Sequence, residues 1–262
     1  MTAEGIVLVT GGSRGIGAAT ATLLAQQGQR VVIADIAPEI LAGTLTILWP
    51  DAFDVASESA VVSGIADIEA VHGPITGLVN AAGVFGKMHA AERVRMDNWD
   101  REINVDLRGT FLVARSVGER MAKRRQGSIV NVASVAGMTS GPIHAYTAAK
   151  AGVIQITQTL AAEWGRAGVR VNAVSPGFTR TAALEAGIAS GALSNDRLVR
   201  NTAMNRMVEP IEVAHAIAWL LGPTSSGVTG INLPVDAGFI AASTWDAYGG
   251  LRQASEAQDA RT

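Results

Sequence analysis

Short β-branched runs alternate along this chain with longer, helix-like stretches, and no other feature limits so strongly what it can fold into. Residues 5–10, 30–35, 76–80, 128–134 and 169–175 read as strands. Strands separated in this way need crossover connections, which implies a parallel sheet with helices on both faces. Runs such as Ile6-Val7-Leu8-Val9 are apolar at every position, as a strand covered on both sides must be. The expected fold class is therefore α/β, with a doubly wound parallel sheet.

No internal repeat, low-complexity tract or Pro/Gly/Ser-rich linker divides the 262 residues, so residues 1–240 are expected to form a single domain. Residues 178–209 break the rhythm with polar and small side chains, and a long connection of that kind is expected to be a substrate lid. Residues 241–262 read as an irregular C-terminal tail, apart from Trp245 and Tyr248.

Composition excludes several classes of function. With 48% hydrophobic and 17% charged residues, the chain can bury a substantial core. A formal charge of −2 provides no basic field for nucleic acid or an anionic membrane. The one dense basic run, Lys123-Arg124-Arg125, reads as the dipole-favoured end of a helix. Absence of Cys removes disulfides, thiolate nucleophiles and thiolate metal sites together; His72, His89 and His215 have no ligand spacing, so no metal is expected. The first residues lack a signal-peptide layout and apolar runs such as 217–221 are too short to span a bilayer, which makes a cytoplasmic protein the expectation.

Thr10-Gly11-Gly12-Ser13-Arg14-Gly15-Ile16-Gly17 follows the first strand and opens an Ala-rich helix. Glycines in that place permit a tight turn and close approach of the backbone to a pyrophosphate, whose charge is met by N–H groups at the helix N-terminus. Elsewhere the pattern would be a glycine-rich turn; between a first strand and a first helix it marks a Rossmann-type dinucleotide site. Asp35 ends the second strand eighteen residues after Gly17, where a carboxylate accepts from the adenosine ribose hydroxyls and repels a 2′-phosphate. NAD is thus favoured over NADP, although Arg14 pulls the other way because a guanidinium can reach a phosphate.

Tyr146 precedes Lys150 by four residues. On a helix this spacing puts both side chains on one face, so the ammonium can stabilise a phenolate. A tyrosine whose pKa is lowered in that way can act as a general acid or base near neutral pH. Alone, the spacing is one that chance can supply.

Gly11, Gly15 and Gly17, then Asn80-Ala81-Ala82-Gly83, Ser134, Tyr146 with Lys150, and Pro176-Gly177 occur in an order that resembles the short-chain dehydrogenase/reductase family over roughly residues 5–240. The glycine spacing is similar to that of the family's short branch. This resemblance implies Tyr146 as the catalytic acid/base and Lys150 as the residue that both lowers its pKa and binds the nicotinamide ribose. It further implies Ser134 as hydrogen-bond partner of the substrate oxygen and Asn104 as holder of a relay water. The cofactor cleft is expected to comprise Gly11, Arg14, Gly15, Ile16, Gly17 and Asp35, with Asp54 and Val55 at the adenine. Asn80, Ala81, Ala82 and Gly83 would line the cofactor, and Pro176, Gly177, Phe178, Thr179 and Thr181 would meet the nicotinamide.

Bland alternatives exist for several of these residues. Ser134 could be a strand-end cap and Asn104 an ordinary polar helix residue, while Asn131 reads as a structural hydrogen-bonder between strands. Two departures from the family pattern stand out. The chain has Val235-Asp236-Ala237-Gly238 where relatives often carry two glycines after Val-Asp, and the loop at 138–144 is one residue short.

Pocket candidates are Phe85, Ser134, Ala136, Met138, His144, Tyr146 and Phe178, a mostly apolar set that suits a secondary alcohol or ketone bearing a ring or alkyl group. The expected activity is interconversion of such an alcohol and ketone with NAD(H). Alternatives are an NADP-dependent ketone reductase, an epimerase or dehydratase with tightly held NAD, and a non-enzymatic NAD-binding regulatory or scaffold protein. The resemblance also implies a homotetramer, built on the helix before Gln126 and the helix carrying Tyr146.

Overall fold

The computed structural model describes residues 5–41, 43, 45–86 and 88–252. Seven strands form one parallel sheet: β1 (Ile6–Thr10), β2 (Val31–Ala34), β3 (Ile47–Leu48), β4 (Ile75–Asn80), β5 (Gly127–Val132), β6 (Val169–Pro176) and β7 (Asn232–Val235). Their spatial order is β3-β2-β1-β4-β5-β6-β7. The five apolar runs of the sequence are β1, β2, β4, β5 and β6. Two short edge strands, β3 and β7, join them; each pairs on one side only, and β7 carries Pro234, so neither has the continuous β-branched pattern of a central strand.

Helices α1 (Gly15–Gln26), α2 (Glu58–His72), α3 (Met96–Glu102), α4 (Thr110–Arg124), α5 (His144–Trp164), α6 (Ala182–Ala189), α7 (Asn195–Arg200) and α8 (Pro210–Leu221) supply the crossovers and the outer layers. Successive strand residues point to opposite faces, and the core divides accordingly. Ile6 and Leu8 pack with Val61 and Ile65 of α2, Val113 and Val117 of α4 and Leu160 of α5. Val7 and Val9 pack on the other side with Leu24 of α1 and Val213 and Ile217 of α8. Neither face of β1 meets water, which accounts for a strand with no polar position before Thr10.

β1 pairs with β2 on one side and β4 on the other. The chain therefore reverses direction across the sheet beside β1, and a crevice opens beyond the C-terminal ends of β1 and β4. The glycine-rich turn lies there. Gly11 has φ 62 and a Cβ on it would stand 2.6 Å from Ala82 Cα, so the turn after β1 presses on the turn after β4. A Cβ on Gly17 would stand 2.2 Å from the Gly11 carbonyl oxygen, which fixes how closely α1 starts behind that turn.

Between α3 and α4 the chain does not run as a regular helix. Residues Ile103–Gly109 are wound as a wider π-helical segment, and Thr110 Oγ1 donates to the Asp106 carbonyl at 2.8 Å. The 178–209 segment holds α6 and α7 and is tied down by Val208 N–H to Phe178 O at 2.9 Å and Arg180 N–H to Val208 O at 2.8 Å. It is thus more regular than its composition led us to expect. In the tail, residues Trp245–Tyr248 form a 3₁₀ turn, and residues 253–262 lie outside the described residues. Ala237, standing where relatives often have glycine, adopts φ 52, a conformation glycine reaches without a Cβ penalty.

Gly17→Ala should lower stability by about 1–3 kcal/mol, since the added methyl meets backbone that cannot swing aside. Urea denaturation checks this; an unchanged midpoint would show that α1 can shift freely.

Candidate active site

The N-terminus of α1 carries no side-chain cap, because Arg14 at its N-cap makes none. Its first amides are therefore free to meet an anion. Asp35 stands beside this turn: its carboxylate accepts from Ser13 N–H at 3.2 Å and Ala37 N–H at 3.1 Å, and Ser13 Oγ accepts from Glu39 N–H at 3.0 Å. Arg14 turns away from the glycines to form an ion pair with Glu39. Such a cradle of bare glycines, open amides and a carboxylate fits a dinucleotide.

Other residues expected at the cofactor fall into place unevenly. Asp54 accepts from Ala56 N–H at 2.9 Å, and Val55 is buried against Gly109. Ala81 and Ala82 flank Gly11 at the crevice, and Ile16 starts α1. Asn80 is buried and donates to Asn131 Oδ1 at 2.9 Å, while Asn131 donates to Thr157 Oγ1 at 3.0 Å. These two asparagines tie β4, β5 and α5 together, and Asn80 Oδ1 is buried without a partner among the described residues. On the far side, Pro176 ends β6, Gly177 abuts Asp236, and the Phe178 ring meets Phe239 edge-on at 5.2 Å. Thr179 donates to Gly177 O at 3.0 Å, and Thr181 caps α6 through Leu184 N–H at 3.3 Å while facing Gly15.

α5 carries Tyr146 and Lys150 on one face, and the Lys150 ammonium lies 5.4 Å from the Tyr146 ring centroid. It donates to Val132 O at 3.1 Å and pairs with Asp106 Oδ1 at 3.2 Å. Burial opposes this charge, yet the Tyr146 and Asp106 oxygens outweigh it and hold Lys150 above its ordinary value. Burial also pushes the Asp106 carboxyl up, against Lys150, Val84 N–H and Arg101. The lysine's shift favours the charged pair and the aspartate's opposes it; the short contact and the two donors on Asp106 favour ammonium and carboxylate at neutral pH.

Ser134 lies two residues beyond β5 beside this pair, buried, with Oγ accepting from Ala136 N–H at 3.1 Å. The following turn, Val135–Gly137, presses on α5 at Gly137, where a Cβ would come within 2.6 Å of the Lys150 carbonyl carbon. Asn104, expected in the relay, is exposed instead, and Asp106 occupies the place behind the lysine. Asp106 lies four residues after buried Glu102 and four before buried Thr110, on the inward face of this segment, whereas Asn104 lies on its outward face. Glu102, one turn earlier, is a second buried acid that the sequence reading missed. Burial and Asp106 raise its pKa, while N–H groups of Gly86 and Tyr146 act against them.

Phe85 packs edge-on against Tyr146 at 5.1 Å and is itself mostly exposed, as is part of Met138, whose sulfur accepts from Asn232 at 3.1 Å. His144 Nε2 lies 3.2 Å from His89 O, and Ala136 is half-buried beside the Ser134 turn. Arg180 is engaged by Glu185 and Glu209, and Arg206 by Glu212, whose carboxyl is held at about 2 by that fork and by Glu209 N–H.

A family model described as enoyl-(acyl carrier protein) reductase matches residues 11–240. D-threitol dehydrogenase of Mycolicibacterium smegmatis is 36% identical over 243 residues, which are 89% of this chain and 92% of that protein. The chain belongs to the short-chain dehydrogenase/reductase family. Levodione reductase of Leifsonia aquatica is 34% identical over 90% of this chain and 94% of its own length. Among solved structures, ribose-5-phosphate isomerase from Brucella melitensis 16M matches with a TM-score of 0.90 at 44% identity, covering 96% of this chain and 98% of that one. As a member of this family the chain is an oxidoreductase of CH–OH groups that uses a nicotinamide cofactor. Among the described residues no helix is long and apolar enough to cross a membrane.

Lys150→Met strands the Asp106 carboxylate in the interior and should cost about 3–5 kcal/mol near neutral pH. The double variant Lys150→Met/Asp106→Asn should recover part of that loss. Because the folded-state pKa of Lys150 is raised, its contribution is complete below the ordinary lysine value of 10.5 and declines as pH rises through the folded value. Denaturation curves of both variants across that range check the account; a loss below about 1 kcal/mol at neutral pH would contradict a buried ion pair.

Proposed function

We propose that this protein interconverts a secondary alcohol and a ketone with NAD(H), using Tyr146 as acid/base and Lys150 as the charge that makes its phenolate accessible. The observation that carries the reading is the buried ammonium 5.4 Å from the Tyr146 ring. When bound, the nicotinamide supplies the acceptor for a hydride. In the oxidative direction the Tyr146 phenolate takes the hydroxyl proton while the C–H bond of the same carbon breaks, its electron pair leaving with the hydrogen as hydride; the C=O bond forms and the alcohol is oxidised. Ser134 Oγ already accepts from Ala136 N–H, which leaves its own proton to donate to the substrate oxygen.

Support for NAD comes from the Asp35 carboxylate, which accepts from Ser13 N–H beside the glycine-rich turn, and from Arg14, whose guanidinium is occupied by Glu39. Exposed Phe85 and Met138 and the Phe178 ring favour a ring- or alkyl-bearing substrate. The likeness to a ribose-5-phosphate isomerase raises a second reading, an aldose–ketose isomerisation. Arg180 and Arg206 are both tied to glutamates, which leaves them poorly placed to take a sugar phosphate, and that reading is distinguished by turnover without nicotinamide. The proposal includes a cytoplasmic homotetramer built on α4 and α5, a single domain over 1–240, and the 178–209 segment as its lid. Light scattering at micromolar concentration should give four times the chain mass, and a monomer mass would refute the tetramer.

Tyr146→Phe should reduce turnover by about 10²–10⁴-fold while NADH still binds, as followed by its fluorescence. The unmodified enzyme should show a higher kcat/KM with NAD than with NADP. Near-normal turnover of Tyr146→Phe would sink the acid/base assignment, and a preference for NADP would overturn the role given to Asp35.

A further inference from the structure

Lys150 is not alone behind the tyrosine. Asp106 is fully buried, its oxygen 3.2 Å from the ammonium, and both of its oxygens lie 3.3 Å from Val84 N–H. Gly83 makes room for it, since a Cβ there would stand 2.6 Å from Asp106 Oδ1. The carboxylate is thus enclosed by the turn after β4, by α5 and by the π-helical segment that bears it. The charged and titratable groups acting on it are Lys150 from α5 and Arg101 and Glu102 from α3; Tyr146 reaches it across Lys150. Arg108 and Arg115 turn away to Glu58.

We propose that Asp106 is a positioning residue: as the fixed counter-ion of Lys150 it cancels part of the ammonium charge and so governs how readily Tyr146 becomes phenolate. The inference rests on the reading of Tyr146 as the acid/base. Its sign follows from charge alone. With Asp106 ionised, the lysine–aspartate pair is neutral, and ionising Tyr146 leaves the buried cluster with a net negative charge. Without that carboxylate the ammonium is uncompensated, and the phenolate is easier to form. Losing the same negative charge also makes the buried ammonium easier to deprotonate. Both limbs of the pH–rate profile therefore move in one direction, toward lower pH. Burial raises the Asp106 carboxyl but leaves it the anionic partner at the short contact with Lys150.

An ion pair that acts on stability alone, with Tyr146 screened from its charge, would leave these titrations in place. The chain has two tyrosines, Tyr146 and the exposed Tyr248, so a Tyr248→Phe background leaves Tyr146 as the sole source of phenolate absorbance. In that background, Asp106→Asn keeps an oxygen for Val84 and Lys150 and removes only the charge. Near-ultraviolet titration should show Tyr146 ionising about one pH unit lower than in the parent, the size expected for one unit charge beyond the lysine at an effective dielectric constant of about 20. Asp106→Glu, which restores the charge, should move it back toward the parent. If Asp106→Asn does not fold, Asp106→Ser tests the same charge with a hydroxyl that still accepts and room for a water. An unmoved titration, or one shifted to higher pH, in a folded variant would overturn the proposal. Because the absorbance is read without turnover, that result is distinct from failure of the acid/base reading, which would appear as an active Tyr146→Phe protein.

Discussion

The ammonium of Lys150 is the charge around which the site is built. A cation buried to this degree is tolerated only where other groups replace its water, and here they are Val132 O at the end of β5, the Asp106 carboxylate on the π-helical segment, and the Tyr146 ring on α5. Each demands something of the fold. The strand must end where its carbonyl reaches α5, the stretch between Met96 and Arg124 must turn Asp106 inward, and Gly83 and Gly137 must lack side chains so that the surrounding turns can close. The sheet supplies the frame, because β4 and β5 lie side by side and deliver both turns to one end.

The parallel sheet was legible in the chain because its central strands are buried on both faces, and continuous apolar runs such as Ile6-Val7-Leu8-Val9 have no other explanation in a compact protein. β3 and β7 were not, since an edge strand of two residues and one interrupted by Pro234 carry little pattern. The Tyr146/Lys150 pair could be read because an ordinary helix keeps its spacing. Asp106 could not, because nothing in the local sequence announces which acid will face the lysine of a distant helix, and Asn104 took its place in the sequence reading. An acid between Val105 and Leu107 was the available signal.

The cofactor cleft shows the same division between what geometry compels and what particular residues select. Gly11 and Gly17 are compelled, since any Cβ would strike backbone. Asp35 and the Arg14–Glu39 pair are selective in the proposal, since they set the charge beside the glycine-rich turn. Asn80 and Asn131 belong to the compelled class, holding β4, β5 and α5 in the arrangement that the lysine needs. Phe85 and Met138, to which the proposal gives substrate choice, are more exposed than the residues around Lys150.

The central claim is a hydride passed from a carbinol carbon while Tyr146 takes the hydroxyl proton. It is tested most directly with a panel of cyclic and alkyl secondary alcohols deuterated at the carbinol carbon, with mass spectrometry of the reduced nicotinamide after a single turnover. The account predicts that the deuterium appears in the reduced nicotinamide with the unmodified enzyme and that transfer almost vanishes with Tyr146→Phe. Reduced nicotinamide carrying hydrogen from solvent, or full transfer by the phenylalanine variant, would contradict it.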